Sequence, residues 1–154
     1  MTRGFMTVFG LWFAASAAHA GGGLVEVACT GSARAALDRL EALAKARGLE
    51  IFARIDHAAG ARKVDMPLRP TELLIFGHPK GGTPLMQCAQ SYGLDLPLRV
   101  AAWEDAAGRC RFGYASVDDL LARHGEEKCA PMVKKLGGVV AALVDEAAGA
   151  ASAK

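Results

Sequence analysis

The chain has no Cys-x-x-Cys pair, no Cys-x-x-Cys-His and no grouping of cysteine with histidine. Dithiol redox chemistry, covalent haem attachment and a structural zinc site therefore have no sequence signature here. A basic run interleaved with aromatics is also missing. With 18 basic and 16 acidic residues the charge is close to balanced, which argues against nucleic acid as a partner. Ser32, Ser91 and Ser116 lack a Gly-x-Ser-x-Gly setting, and no cysteine has the His-paired or helix-start context of a nucleophilic thiol. The turn HPKGGT at 78–83 puts its lysine before the glycines, the reverse of a nucleotide-binding P-loop. Neither an internal repeat nor a domain linker is visible. After the first 20 residues no apolar run approaches the ~20 residues that span a bilayer, so no membrane partner is expected once that segment is removed.

What is present begins at the amino terminus. Arg3 precedes an almost wholly apolar stretch from Phe5 to Ala15, and Ala18-His19-Ala20 supplies a small-x-small cleavage pattern. Residues 1–20 thus read as a secretory signal, and the expected location is periplasmic or secreted. Residues 21–31 are expected to form a leader and first strand, 32–148 one domain, and 149–154 a frayed tail. Cys29, Cys88, Cys110 and Cys129 are an even set in an oxidising compartment, so disulfides are expected. Four cysteines allow three pairings, and sequence does not choose among them.

Periodicity supplies the elements. LVEVAC at 24–29 reads as a strand. Ser32 is placed to cap a helix over 33–47, whose stripe is Ala33, Ala36, Leu37, Leu40, Leu43 and Ala44, with Gly48 ending it. LEIFARIDH at 49–57 alternates, so Leu49, Ile51, Ala53, Ile55 and His57 are expected on the covered face, with Phe52, Arg54 and Asp56 opposite. A loop over 58–70 leads to the strand TELLIFG at 71–77. Thr83 is the expected cap, and Pro84 the first residue, of a second helix burying Leu85, Met86, Cys88, Ala89 and Tyr92. Strands at 96–105 and 109–115 should pair as a hairpin, a short helix follows at 117–125, and a last helix starts at Pro131. Gly137-Gly138 weakens that last helix. The fold class is therefore α+β in two layers, a mainly antiparallel sheet covered by amphipathic helices.

Three stretches, RIDHAAGA at 54–61, LRPTELLIFGHPKGGTPLMQ at 68–87 and GLDLPLRVAAWED at 93–105, resemble the family called domain of unknown function 302. The resemblance extends over roughly 33–145. It implies a small α/β protein, a homodimer and no generally established activity. Family members usually carry Asn where this chain has His78. The four cysteines are not part of the family pattern, so they read as an adaptation to export.

His57 is the first candidate site residue, an imidazole at the rim of an apolar layer able to ligate metal or haem iron or to move protons. Paired with Met86 it would make a His/Met set suited to haem or copper. Each also has a bland reading, a backbone-bonded histidine and a core methionine. His78, Lys80 and Thr83 form a second candidate, an anion site at a helix start. Arg69 and Arg99 read as surface or interface residues, and Trp103 and Tyr114 as core or pocket lining. Three functions stay open. The preferred one is a non-enzymatic binding module for a small ligand, haem or metal. The others are a structural or protein-interaction module and an enzyme using His57 as acid or base.

Overall fold

The apolar stripe is cleanest in the first helix. Ser32 Oγ accepts the Ala35 N–H at 3.2 Å, and α1 (Ala33–Ala46) follows with Ala33, Ala36, Leu37, Leu40 and Ala44 buried. Arg47 closes it and Gly48 takes φ +73, the left-handed turn that ends a helix at least cost with glycine. The computed structural model describes residues 23–125 and 127–149. The signal expected at 1–20 and the tail expected beyond Gly149 lie outside the described residues.

Five strands, β1 (Leu24–Ala28), β2 (Glu50–Asp56), β3 (Thr71–Gly77), β4 (Leu98–Glu104) and β5 (Cys110–Ala115), form one sheet in the order β1-β5-β4-β3-β2. Every neighbouring pair is antiparallel. The β4–β5 hairpin turns at Asp105, whose Oδ1 accepts the N–H groups of Ala107 and Arg109 at 2.9 and 3.0 Å. One face is covered by α1 and by α5 (Ala130–Ala147), an α+β fold in two layers. There Leu74, Phe76, Val100, Ala102 and Phe112 of the sheet meet Leu37 and Leu40 of α1 and Val140, Leu143 and Val144 of α5, all buried. Each large side chain contributes roughly 1.5–3 kcal/mol by leaving water. The opposite face is uncovered, with Leu24 and Ile55 each exposed by 39%.

The strict alternation expected in β2 fails at one point. A bulge between Ile51 and Ala53 shifts the register against β3. Ile51 still packs into the core, but past the bulge Arg54 and Asp56 turn to the helix side while Ala53 and Ile55 turn away. One extra residue exchanges the faces of everything after it. Arg54 then reaches Asp38 and Glu41 of α1 and buried Glu72 of β3. Burial opposes its charge, yet hydrogen bonds to Asp38 and Glu72 hold the guanidinium above its ordinary pKa. The strand ends at Asp56, whose Oδ1 caps a short helix α2 (His57–Arg62) by accepting the Ala59 N–H at 2.7 Å. His57 is therefore the first residue of a helix and exposed, not the inward-facing end of a strand.

The second helix also starts earlier than its sequence suggests. His78 is the cap and Pro79 the first residue of α3 (Pro79–Cys88), so HPKGGT is the cap and first turns of the helix and Thr83 caps nothing. Pro84 lies inside, where its missing N–H removes one helical bond. A 3-10 turn at Gln90–Leu94 carries buried Tyr92, and α4 (Val117–His124) precedes α5. Leu85, Tyr92, Cys129 and Val133 make a second, smaller core at this end of the molecule. Cys29 bonds Cys110, joining the end of β1 to β5, and Cys88 bonds Cys129, joining the end of α3 to the turn before α5.

Helix α5 passes unbroken through Gly137-Gly138, and the two glycines differ. A Cβ on Gly137 would lie 2.2 Å from Val117 Cγ2, so this residue lets α4 approach α5, whereas a Cβ on Gly138 meets nothing within 4 Å. Gly138→Ala should stabilise by about 0.5–1 kcal/mol through helix propensity, and Gly137→Ala should destabilise by roughly 1–3 kcal/mol through overpacking. Urea unfolding midpoints of the two variants check this opposition.

Candidate functional site

The first turns of α3, the middle of α5 and the segment entering β4 enclose a cleft of about 480 Å³. Its walls are mainly apolar: Phe52, Met86, Leu96, Met132, Leu136 and Val139. The bulge in β2 places Phe52 there, and helical spacing places Met132, Leu136 and Val139 on one stripe of α5. His78, Lys80 and Lys135 add basic groups, and among the described residues no carboxylate lines the cleft. Its size and character match sites for small organic molecules, apolar with a few polar groups that fix orientation.

The sequence candidates divide in two. His78, Lys80, Thr83 and Met86 all line this cleft. His57 does not. Asp56 pairs with Glu72 near the start of β3, whereas the cleft touches Gly77 at its end, so His57 and Met86 sit toward opposite ends of that strand. The two side chains do not form the metal or haem set considered above. Among the described residues no group of three or more His, Cys, Asp or Glu side chains is placed to hold a metal ion. Around His57 the charges are structural: Arg34 bonds Asp56 at 2.9 Å and Glu72 at 3.0 Å. The Ala59 N–H, ahead of the charges of Arg62 and Arg34, holds the Asp56 carboxyl below its ordinary pKa.

A second arrangement has no local sequence signature. His124, the last residue of α4, bonds Ser91 Oγ through Nδ1 at 2.8 Å and Asp95 Oδ2 through Nε2 at 2.8 Å. Arg99 and Arg123 both bond the other Asp95 oxygen. Of this group Asp95, Arg99 and Arg123 border a smaller cavity of about 220 Å³ that also touches Tyr92 and Tyr114. Burial raises the Tyr114 phenol, and the charge of Asp145 adds to the effect. Trp103 lies instead on the uncovered sheet face, its ring over Gly113, where a Cβ would come within 2.6 Å of it. Arg69 is at the surface, its Nε donating to the Glu104 carbonyl at 3.0 Å.

A one-sided, five-stranded antiparallel sheet with two long helices over it defines a small α+β domain of known architecture. The chain belongs to the family described as domain of unknown function DUF302, which matches residues 25–143. The fold is similar to a crystal structure of an uncharacterized conserved DUF302 protein from Bacillus stearothermophilus, with a TM-score of 0.74 and 14% identity. That match covers 80% of this chain and 97% of the other. Two relatives are 48% identical over 87 residues, 56% of this chain. One is the fluoride-specific ion channel FluC 1 of Brucella suis biovar 1 (strain 1330), of which 34% is covered. The other is the fluoride-specific ion channel FluC 2 of Brucella melitensis biotype 1, of which 32% is covered. The chain spans about a third of the length of these relatives. Among the described residues no helix is long and apolar enough to cross a membrane.

The role of His78 is now explicit. Its Nδ1 accepts the Lys80 N–H at 3.0 Å and satisfies a donor that the helix leaves open. An asparagine amide oxygen makes the same bond, which explains how His can stand where the family resemblance leads one to expect Asn. Accordingly His78→Asn should leave stability within about 0.5 kcal/mol, and His78→Ala should cost roughly 1 kcal/mol. Thermal unfolding of both variants measures the difference.

Proposed function

We propose that the chain is a binding module acting outside the cytoplasm, and that its cleft takes a small apolar molecule with one anionic end. The observation that carries this reading is the cleft of about 480 Å³, apolar in its walls, with Lys80, Lys135 and His78 beside it and no acid among its described lining residues. The apolar wall contributes affinity in proportion to the area it covers, and the basic groups select the sign of the head group. Two disulfides within one small domain support an oxidising compartment, as does the apolar segment after Arg3.

Decanoate and decylamine have the same tail and opposite charge, so calorimetric titration with each separates the parts of the claim. Decanoate should bind and decylamine should not. Lys80→Ala with Lys135→Ala should weaken decanoate binding roughly fivefold or more, since the two ion pairs are exposed. Equal binding of the two probes would contradict charge selection, and binding of neither would remove the reading.

A second reading rests on the relatives. Too few residues lie outside the described ones to hold all 87 aligned positions, so most of the likeness falls on the α+β domain. That domain contains no membrane-crossing helix among its described residues, while an ion channel needs spans of ~20 apolar residues if it is helical. The likeness to part of these relatives supports an accessory role beside a fluoride-specific channel. Deleting the chain from its host should then lower the fluoride concentration that halts growth. An unchanged inhibition curve would remove this second reading.

A further inference from the structure

The cluster at the end of α4 has the arrangement of an activated nucleophile. The His124 side chain is 2% exposed and that of Asp95 is 8% exposed, while Ser91 stands at the surface. Asp95 Oδ2 accepts from Nε2 of the imidazole, which leaves the Nδ1 lone pair toward the Ser91 hydroxyl, both at 2.8 Å. Arg99 and Arg123 take the other carboxylate oxygen and so keep Asp95 from turning. The Tyr92 ring packs on the imidazole with centroids 4.0 Å apart and fixes its plane. An exposed hydroxyl, a base within hydrogen-bond reach and a third group orienting that base are the three parts that nucleophilic acyl transfer requires. A serine needs no Gly-x-Ser-x-Gly context for this, because the constellation is defined by geometry and role.

We infer that Ser91 is a nucleophile toward small acyl esters, with His124 as its base and Asp95 as a positioning residue. Ser91 Oγ attacks the ester carbonyl carbon as its proton passes to His124 Nδ1. The tetrahedral intermediate collapses, the carbon–oxygen bond to the alcohol breaks, and the alcohol leaves with that proton. Water then gives a proton to the same nitrogen and attacks the acyl-serine, releasing the acid and returning the proton to Ser91. Leu94, on the same turn and 75% exposed, gives an apolar surface for the acyl chain. This site is separate from the cleft and does not depend on the binding reading.

A short-chain alkyl fluorophosphonate tests it, since attack by Oγ forms an oxygen–phosphorus bond, expels fluoride and leaves a stable adduct. Ser32 and Ser116, whose hydroxyls cap α1 and α4, are internal references in the same molecule. Peptide mass mapping of the purified, disulfide-bonded chain should show Ser91 labelled about a hundredfold faster than either reference, the lower end of what a positioned base supplies. Ser91→Ala should abolish that adduct, and His124→Gln should bring Ser91 down to the reference rate. Asp95→Asn should shift the His124 ring from the Nε2–H toward the Nδ1–H tautomer in nitrogen NMR, a change that mere loosening of the turn would not produce. Equal labelling of the three serines in the unmodified chain would overturn the inference whatever the variants do. An unchanged Ser91 rate in folded His124→Gln would overturn it equally, and an unmoved tautomer would remove Asp95 from its role.

Discussion

The bond between Cys88 and Cys129 is the constraint on which the end carrying both candidate sites depends. The main core is broad, with α1 and α5 laid over most of one sheet face. The other end has far less to hold it. Helix α4 has no fully buried residue, α3 has only Leu85, and the shared cluster adds Tyr92, Cys129 and Val133. A bridge closing a separation of 41 residues adds roughly 2–4 kcal/mol by restricting the unfolded chain, a large share of what so small a cluster supplies. Both candidate sites lie around it. The cleft runs between α3 and α5, and Ser91 meets His124 between the turn after α3 and the end of α4.

A division of labour between the two ends follows. The sheet, α1 and the outer half of α5 form a scaffold in which Arg54, Glu72 and Arg34 tie the strand edge to α1. Cys29–Cys110 fastens β1 to β5 within that scaffold. The end built from α3, α4 and the 3-10 turn is where polar side chains converge beside apolar space. Helix α5 belongs to both parts, and its small residue at Gly137 leaves room for Val117 at the start of α4.

Sequence patterns disclosed the scaffold well and the site poorly, for physical reasons. Of the stripe Ala33, Ala36, Leu37, Leu40, Leu43 and Ala44, which repeats at the helical period, five residues are buried and Leu43 is partly buried against the same core. The hairpin at Asp105–Gly108 was legible because Asp and Gly mark turns. The bulge in β2 carries no residue-type marker, so period-2 counting put His57 on the wrong side and Arg54 on the outer face. Two prolines competed for the start of α3, and the capping ability of His78, less familiar than that of Thr83, decided for Pro79. His78, Lys80 and Thr83, expected together at one helix start, and Met86, expected instead beside His57, all line the cleft because they share one helix, whereas Lys135 comes from α5 and could not be added from spacing. Ser91, Asp95 and His124 span 33 positions across separate elements, so only the packing of α4 against the 3-10 turn brings them together.

Amide hydrogen exchange on the Cys88→Ser, Cys129→Ser double variant tests the central claim most directly, because exchange reports local opening segment by segment. Residues 79–96 and 117–124 should lose protection while β3, β4 and β5 keep theirs. Unchanged protection in those segments, or an equal loss across the sheet, would contradict the claim that this one bond holds the smaller end of the molecule together.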